Sequence, residues 1–132
     1  MNLEDASTLA LDAIVQVTRD AGFVVSIAIV DRYGDLIAAR RMEGARPRWM
    51  RASIRKAYSS AVMDRDTDDF HEEIVRRDLQ IGYYGDAQLT ALPGGIVVLD
   101  ANGETIVGIG VTGKTHGRDA ELARAGVAAF TA

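Results

Sequence analysis

The sequence contains no cysteine among its 132 residues, and this absence excludes several kinds of chemistry. A disulfide framework, a thiolate nucleophile, a thiolate zinc site and an iron–sulfur cluster all require cysteine side chains. Histidine occurs only at His71 and His116. Any imidazole that binds a metal or transfers a proton must therefore be one of these two residues.

Long apolar runs and a basic N-terminal segment are missing as well. No uninterrupted apolar stretch approaches the roughly 18 residues that a membrane-spanning helix needs. The first five residues include Glu4 and Asp5, where a secretory signal would carry lysine or arginine. We therefore expect a soluble, cytoplasmic protein without a membrane partner.

The chain also lacks an excess of positive charge, since its formal net charge is −4. Binding to nucleic acid needs concentrated positive charge, so we expect no nucleic-acid partner. Residues 40–56 nevertheless carry seven basic side chains, and residues 64–73 carry six acidic ones. Such neighbouring segments are most often two solvated faces or two sides of a subunit contact, and less often an anion site.

Recognisable catalytic motifs are missing too. The sequence contains no nucleophile elbow and no phosphate-binding Walker loop. Residues 108–113 contain spaced glycines, but they lie within a predicted hairpin strand and not between a strand and a crossover helix. A dinucleotide-binding loop is therefore excluded.

The patterns that are present predict one domain over residues 1–132. Asn2 and Gly22 are suited to begin and end a first helix. Pro47 is suited to begin a second helix. The apolar stripe of that second helix would be Trp49, Met50, Ile54, Ala57 and Ala61. Apolar spacing and turn residues predict helices over 3–21, 47–63, 68–79 and 119–130, strands over 23–30, 36–41, 96–99 and 105–111, and a loop over 80–88 that could form a lid.

The order α-β-β-α-α-β-β-α, without an internal repeat, predicts an α+β fold. Its antiparallel sheet is built from two β-hairpins flanked by helices. The second hairpin contains glycines at positions 108, 110 and 113. Glycine weakens a strand unless another backbone or a ligand must approach closely, so this hairpin is a plausible pocket wall.

Seven stretches carry a resemblance that covers nearly the whole chain. They are residues 24–31, 34–36, 41–45 and 54–61, the Leu-Pro-Gly-Gly of 92–95, Asp119, and 123–126. In these the chain resembles the heme-degrading domain family, which includes GlcG proteins, HbpS proteins and the C-terminal domain of PduO proteins. The resemblance implies a profilin-like or roadblock-like arrangement, assembly into a homo-oligomer, and heme as the one cofactor.

Four residues could transfer a proton or bind a metal. His116 lies on a glycine-bounded loop before the last helix, where it could be a heme ligand or an acid or base. His71 is a second candidate heme ligand in an acidic helix. Asp119 and Asp31 are the candidate catalytic carboxylates, although Asp119 could instead cap the last helix.

Eight further residues could bind a ligand. Basic side chains could pair with a carboxylate, the tyrosines could stack on a flat ligand, and the glycines could line a pocket wall. The basic and aromatic residues could equally join subunits or pack a loop. The candidates are Arg55, Lys56, Tyr83, Tyr84, Gly110, Gly113, Lys114 and Arg118.

Two functions are consistent with these residues. The first, which the resemblance implies, is binding of heme and its oxidative breakdown. The second is a cofactor-independent isomerase, lyase or hydratase that acts on a small organic acid or carbonyl compound by acid/base catalysis. An oligomeric accessory protein that binds a small molecule without turnover is a third interpretation.

Overall fold

The computed structural model describes residues 1–131. Within this range the predicted order α-β-β-α-α-β-β-α and the α+β class are confirmed. The elements are α1 (Leu3–Asp20), β1 (Val25–Asp31), β2 (Leu36–Arg41), α2 (Pro47–Val62), α3 (Thr67–Arg76), β3 (Gly95–Leu99), β4 (Thr105–Gly113) and α4 (Asp119–Arg124). None of the described helices combines the length and apolar character needed to cross a membrane.

The four strands form an antiparallel sheet in the order β2-β1-β4-β3. In the central pair, Val25 lies opposite Gly113 and Asp31 opposite Val107. Both hairpin turns, residues 31–35 and 100–104, therefore lie at one end of the sheet, which we call the turn end. We call the other end, where β4 finishes at Gly113, the open end. At about 3.3 Å per residue, β1 separates the two ends by about 20 Å.

Both hairpin turns use the same device. The Asp31 carboxylate accepts hydrogen bonds from the amides of Tyr33 (2.9 Å) and Asp35 (3.1 Å). Asp100 does the same in the second hairpin, with the amides of residues 102 (2.8 Å) and 104 (3.0 Å). The two hairpin turns thus share the local pattern Asp-x-x-Gly-acid.

Helices cover both faces of the sheet. On one face, α1 and α4 bury the larger part of the core, which includes Ile14, Ile27, Ile29, Ile109 and Leu122. On the other face, α2 packs against a smaller cluster that contains Ala28 and Ala57. The amide of Asp5 bonds to the Asn2 side chain (2.8 Å), which confirms the predicted cap of α1.

The face of α2 that meets the sheet is smaller and more polar than the predicted apolar stripe. Of that stripe only Ala57 and Ala61 are buried, together with Ser53 and Ser60. A Cβ atom on Gly110 would lie 2.0 Å from the carbonyl oxygen of Ser53. At Gly108 and Gly110 the close approach is therefore that of the α2 backbone.

Three predicted segments differ most clearly from the structure. Helix α3 ends at Arg76, shortly before Asp78, which has a positive φ of 52° and cannot continue the helix. Residues 80–88 contain a 3₁₀ turn (Ile81–Tyr84) where a plain loop was expected. The final helix stops at Arg124, and a 3₁₀ turn over Val127–Ala129 follows.

Candidate functional site

Two neighbouring grooves flank residues 89–92, between α2 and α3. Both are lined by Thr90 and Leu92, so they lie on either side of the same segment. We call them the arginine groove (about 310 Å³; Arg51, Ala52, Arg55, Thr90, Leu92) and the histidine groove (about 400 Å³; His71, Ile74, Ile81, Leu89, Thr90, Ala91, Leu92). Each volume falls within the range typical of small-molecule sites.

Helix α2 presents two arginines to the arginine groove. Arg51 and Arg55 are four residues apart on its exposed face, so their Cβ atoms lie about 6 Å apart. Within residues 1–131 neither guanidinium forms an ion pair. Elsewhere in the basic segment, Arg40 pairs with Asp12 (3.1 Å). The arginine groove therefore presents two unneutralised positive charges.

Helix α3 holds His71 at the histidine groove. The preceding residue, Phe70, is fully buried and packs edge-on against Tyr84, with ring centroids 5.3 Å apart. The Thr67 hydroxyl accepts a hydrogen bond from the amide of Gly95 (3.0 Å), at the outer edge of β3. Because these contacts fix α3 on its inner side, His71 remains exposed on the outer side.

The segment between the grooves is anchored to α2. The amide of Thr90 donates to the Ser59 hydroxyl (2.8 Å), and the Tyr58 hydroxyl donates to the carboxylate of Asp86 (2.5 Å). This last hydrogen bond raises the pKa of Tyr58 and lowers that of Asp86. The loop that was expected to form a lid is thus fastened through Tyr84 and Asp86.

A second polar cluster lies at the open end of the sheet. The Lys56 ammonium donates to the carbonyl oxygen of Val111 (2.9 Å) and to Asp119 (3.0 Å), whose carboxylate also accepts from the Thr115 hydroxyl (2.6 Å). The Lys56 side chain is 4% exposed and that of Asp119 16%. Burial lowers the pKa of Lys56, and the attraction of Asp119 opposes this shift.

Glycines close the space around this cluster. Gly94 has φ +119°, and a Cβ atom there would lie 2.9 Å from the Lys56 ammonium. A Cβ atom on Gly113 would lie 2.6 Å from the carbonyl oxygen of Val24. Packing against these neighbours, with no ligand, is sufficient to require glycine at both positions.

The loop before α4 forms a surface cluster around Phe23. His116 has a positive φ of 55°, and its ring lies 6.0 Å from that of Phe23. The Arg118 guanidinium lies 5.5 Å from the centre of the same ring and pairs with Glu121 (2.6 Å). His116 lines neither of the two grooves.

The structure does not bring the three predicted catalytic residues together. Asp31 occupies the turn end, about 20 Å from the open end, where Asp119 and His116 lie. Asp119 accepts hydrogen bonds from Lys56 and Thr115, whereas the amide of Arg118 bonds to Thr115. Of the two alternatives for Asp119, capping of the final helix is therefore not the one that the structure has.

The remaining predicted ligand-binding residues are dispersed. Arg55 lines the arginine groove and His71 the adjoining one, so these two predictions fall beside one another. Tyr83 and Lys114 are exposed, outside both grooves. No group of three or more carboxylate or imidazole side chains in the described part of the chain could hold a free metal ion.

Sequence reasoning missed Arg51, Thr90 and Leu92. The i, i+4 spacing of Arg51 and Arg55 was a usable signal, because it places two like charges on one face of a helix. No local signal marks Thr90, and Leu92 was noted only as part of the Leu-Pro-Gly-Gly stretch. The role of both residues depends on where residues 85–94 cross the surface.

Comparison with known proteins identifies close structural relatives. The family model for "Haem degrading protein HbpS-like" matches residues 1–128. A double Glu-to-Asp variant of HbpS from Streptomyces reticuli is 30% identical (TM-score 0.87), over 99% of this chain and 88% of that one. A search of curated protein sequences found no match.

Two more distant structures share the fold. ORFY from Klebsiella pneumoniae is 23% identical, with a TM-score of 0.86, over 98% of this chain and 90% of that one. A complex of PduOC with heme is 20% identical, with a TM-score of 0.83, over 98% of this chain and 94% of that one.

Proposed function

We propose, from the premise that this chain belongs to the HbpS-like family of heme-degrading proteins, that it binds heme at the paired grooves beside residues 89–92 and takes part in heme breakdown. One observation carries the choice of site. An exposed histidine, His71, lines an apolar groove, and the neighbouring groove presents two arginines that form no ion pair within residues 1–131. The relative PduOC, in its heme complex, supports the choice of ligand.

The residues present fit heme. A heme site requires an axial ligand, a flat apolar surface and cations for the propionates. His71 provides an imidazole, and Ile74, Ile81 and Leu92 provide apolar surface beside it. Arg51 and Arg55 provide the cations on the other side of the same segment. No cysteine or clustered carboxylate is needed for this arrangement.

Each of these residues has a distinct role in the proposal. Bound heme would supply the redox chemistry of its iron. His71 would bind the iron through one imidazole nitrogen and thereby fix the position of the ring. Leu92 and Ile74 would exclude water from the ring faces, and the anchored Thr90 would keep the site preformed.

A hemin titration followed by absorption spectroscopy tests the proposal. Wild type and His116→Ala are expected to give a saturable shift of the Soret band near one hemin per chain. His71→Ala is expected to lose the shift, because the axial nitrogen is removed. Loss of the shift in His116→Ala alone would move the site to the loop before α4, and no saturable shift in wild type would exclude heme binding.

A second candidate function is acid/base catalysis on a small organic acid. The specific observation in its favour is the Lys56–Asp119 pair, which joins a buried ammonium to a partly exposed carboxylate. We rank it below heme binding because neither residue lines one of the two grooves. The hemin titration separates the two functions, since only the first requires His71.

A further inference from the structure

We infer that Arg51 and Arg55 form a carboxylate clamp, which selects a flat apolar ligand carrying two carboxylates whether or not that ligand contains iron. The ligand class is therefore tetrapyrrole dicarboxylic acids in general, and heme is one member. The inference rests on the proposed function for the position of the tetrapyrrole ring beside His71. The preference for ligands with two carboxylates rests on the arginine groove.

The geometry favours a ligand with two acidic groups. The two arginines are one helical turn apart and line the same groove, with Ala52 between them on the helix surface. A small residue at that position leaves room for a ligand to lie along the helix. Each planar guanidinium can form two parallel hydrogen bonds to one carboxylate, so two arginines match two carboxylates.

The neighbouring acidic segment does not neutralise the clamp. No carboxylate of that segment forms an ion pair with either arginine within the described structure. Asp64 accepts from the hydroxyl of Thr105 (2.6 Å), and Asp66 accepts from the amide of Val97 (2.9 Å). Glu73 is paired with Arg65 and lies 3.8 Å from Arg77. An external anion is therefore the available partner for Arg51 and Arg55, despite the overall charge of −4.

The apolar part of the ligand has a neighbouring surface to contact. Leu92 is 60% exposed and lies between the arginine groove and the histidine groove. A ligand that covers Leu92 gains hydrophobic stabilisation in addition to its ionic contacts. Simple inorganic anions lack such a surface, so the site is expected to discriminate against them.

The test compares iron-free protoporphyrin IX with its dimethyl ester, which has the same ring but no carboxylate charges. Wild type is expected to bind the free acid at least tenfold more tightly than the ester, as measured by porphyrin fluorescence, because each ester removes a charge-assisted hydrogen bond. The double variant R51Q/R55Q is expected to lose this preference. Arg48→Gln is the matched control, since Arg48 is exposed on α2 but does not line the groove.

The outcomes separate the clamp from the proposed function. If hemin binds through His71 but wild type does not distinguish the acid from the ester, the clamp is wrong and the proposed function stands. If hemin gives no Soret shift while binding of the free acid depends on Arg51 and Arg55, the clamp stands and ligation by His71 is wrong. If R51Q/R55Q keeps the full preference, the clamp is wrong whatever hemin does.

Discussion

Lys56 is a single residue that joins three parts of the fold. It belongs to α2, donates a hydrogen bond to the carbonyl oxygen of Val111 near the end of β4, and pairs with Asp119 at the start of α4. Burial of the charged form costs free energy, and the Asp119 carboxylate offsets part of that cost. The net result is that the pKa of Lys56 lies below its ordinary value.

This shift predicts how stability depends on pH. Between the lowered pKa and the ordinary value of about 10.4, the unfolded chain binds more protons at this site than the folded protein does. The contribution of Lys56 to the free energy of unfolding should therefore rise as pH increases towards 10.4. We expect the difference in unfolding free energy between wild type and Lys56→Met, measured by urea denaturation, to increase from pH 7 to pH 10.

The comparison with Lys56→Met cancels the titration of residues common to both proteins. A difference that decreases over the same range would mean that attraction to Asp119 outweighs burial, and the assigned direction would then be wrong. Glu43→Gln, at an exposed position, serves as a control whose difference from wild type should stay constant over this range.

At the scale of elements, helix α2 packs directly against strand β4. Gly108 and Gly110 lie under α2, where added Cβ atoms would come within 2.2 Å of the Ala57 carbonyl oxygen and 2.0 Å of the Ser53 carbonyl oxygen. Backbone carbonyls in a helix cannot rotate away as a flexible side chain can. The position of α2, and of the arginines on its outer face, therefore depends on these two glycines.

Gly110→Ala is expected to destabilise the fold by about 3 kcal/mol, because α2 must move away from the sheet to admit the methyl group. Gly82→Ala is the matched control, since a Cβ atom there meets nothing within 4 Å. Its effect should remain within about 0.5 kcal/mol. Urea denaturation measures both, and equal stability of the two variants would contradict the tight packing of α2.

At the scale of the whole molecule, the turn end carries apolar side chains that the single chain leaves exposed. Tyr33 is 68% exposed and lines a groove together with Leu3 and Ile106. Ile106 also lines the adjoining groove with Leu99 and Phe130. Asp31 and Arg32 line the first of these grooves and Asp100 lines both, so the surface combines apolar and charged side chains. Such a combination is typical of subunit contacts, and we propose that copies of this chain assemble through the turn end.

Light scattering coupled to size-exclusion chromatography tests this assembly. Wild type is expected to have a mass of two or more chains of 14.2 kDa each. The double variant Y33S/L99S is expected to have a lower mass than wild type. Tyr83→Ser is the control, because Tyr83 is 67% exposed but lies away from the turn end, in the 3₁₀ turn after α3. A wild-type mass of one chain would exclude assembly, and an unchanged mass in Y33S/L99S would place the contact elsewhere.

Much of the fold was predictable because its determinants are local. The Asn2 cap, the two Asp-x-x-Gly turns and the apolar spacing of α1 act between residues a few positions apart, so they can be recognised in the sequence. The glycines at 108 and 110 were correctly recognised as sites of close approach. What approaches them was not predictable, because α2 lies some fifty residues earlier in the chain.

The sequence by itself determined the class of fold, the order of its elements, the family and the small set of residues able to carry chemistry. Only the tertiary structure decided which of those residues meet. It placed His71 and the arginines of α2 in two grooves that share Leu92, separated Asp31 from Asp119, and paired Lys56 with a carboxylate 63 positions away. The reason is physical: caps, turns and periodicity depend on neighbours along the chain, whereas a binding site depends on neighbours across the packed sheet, whose identity no local pattern records.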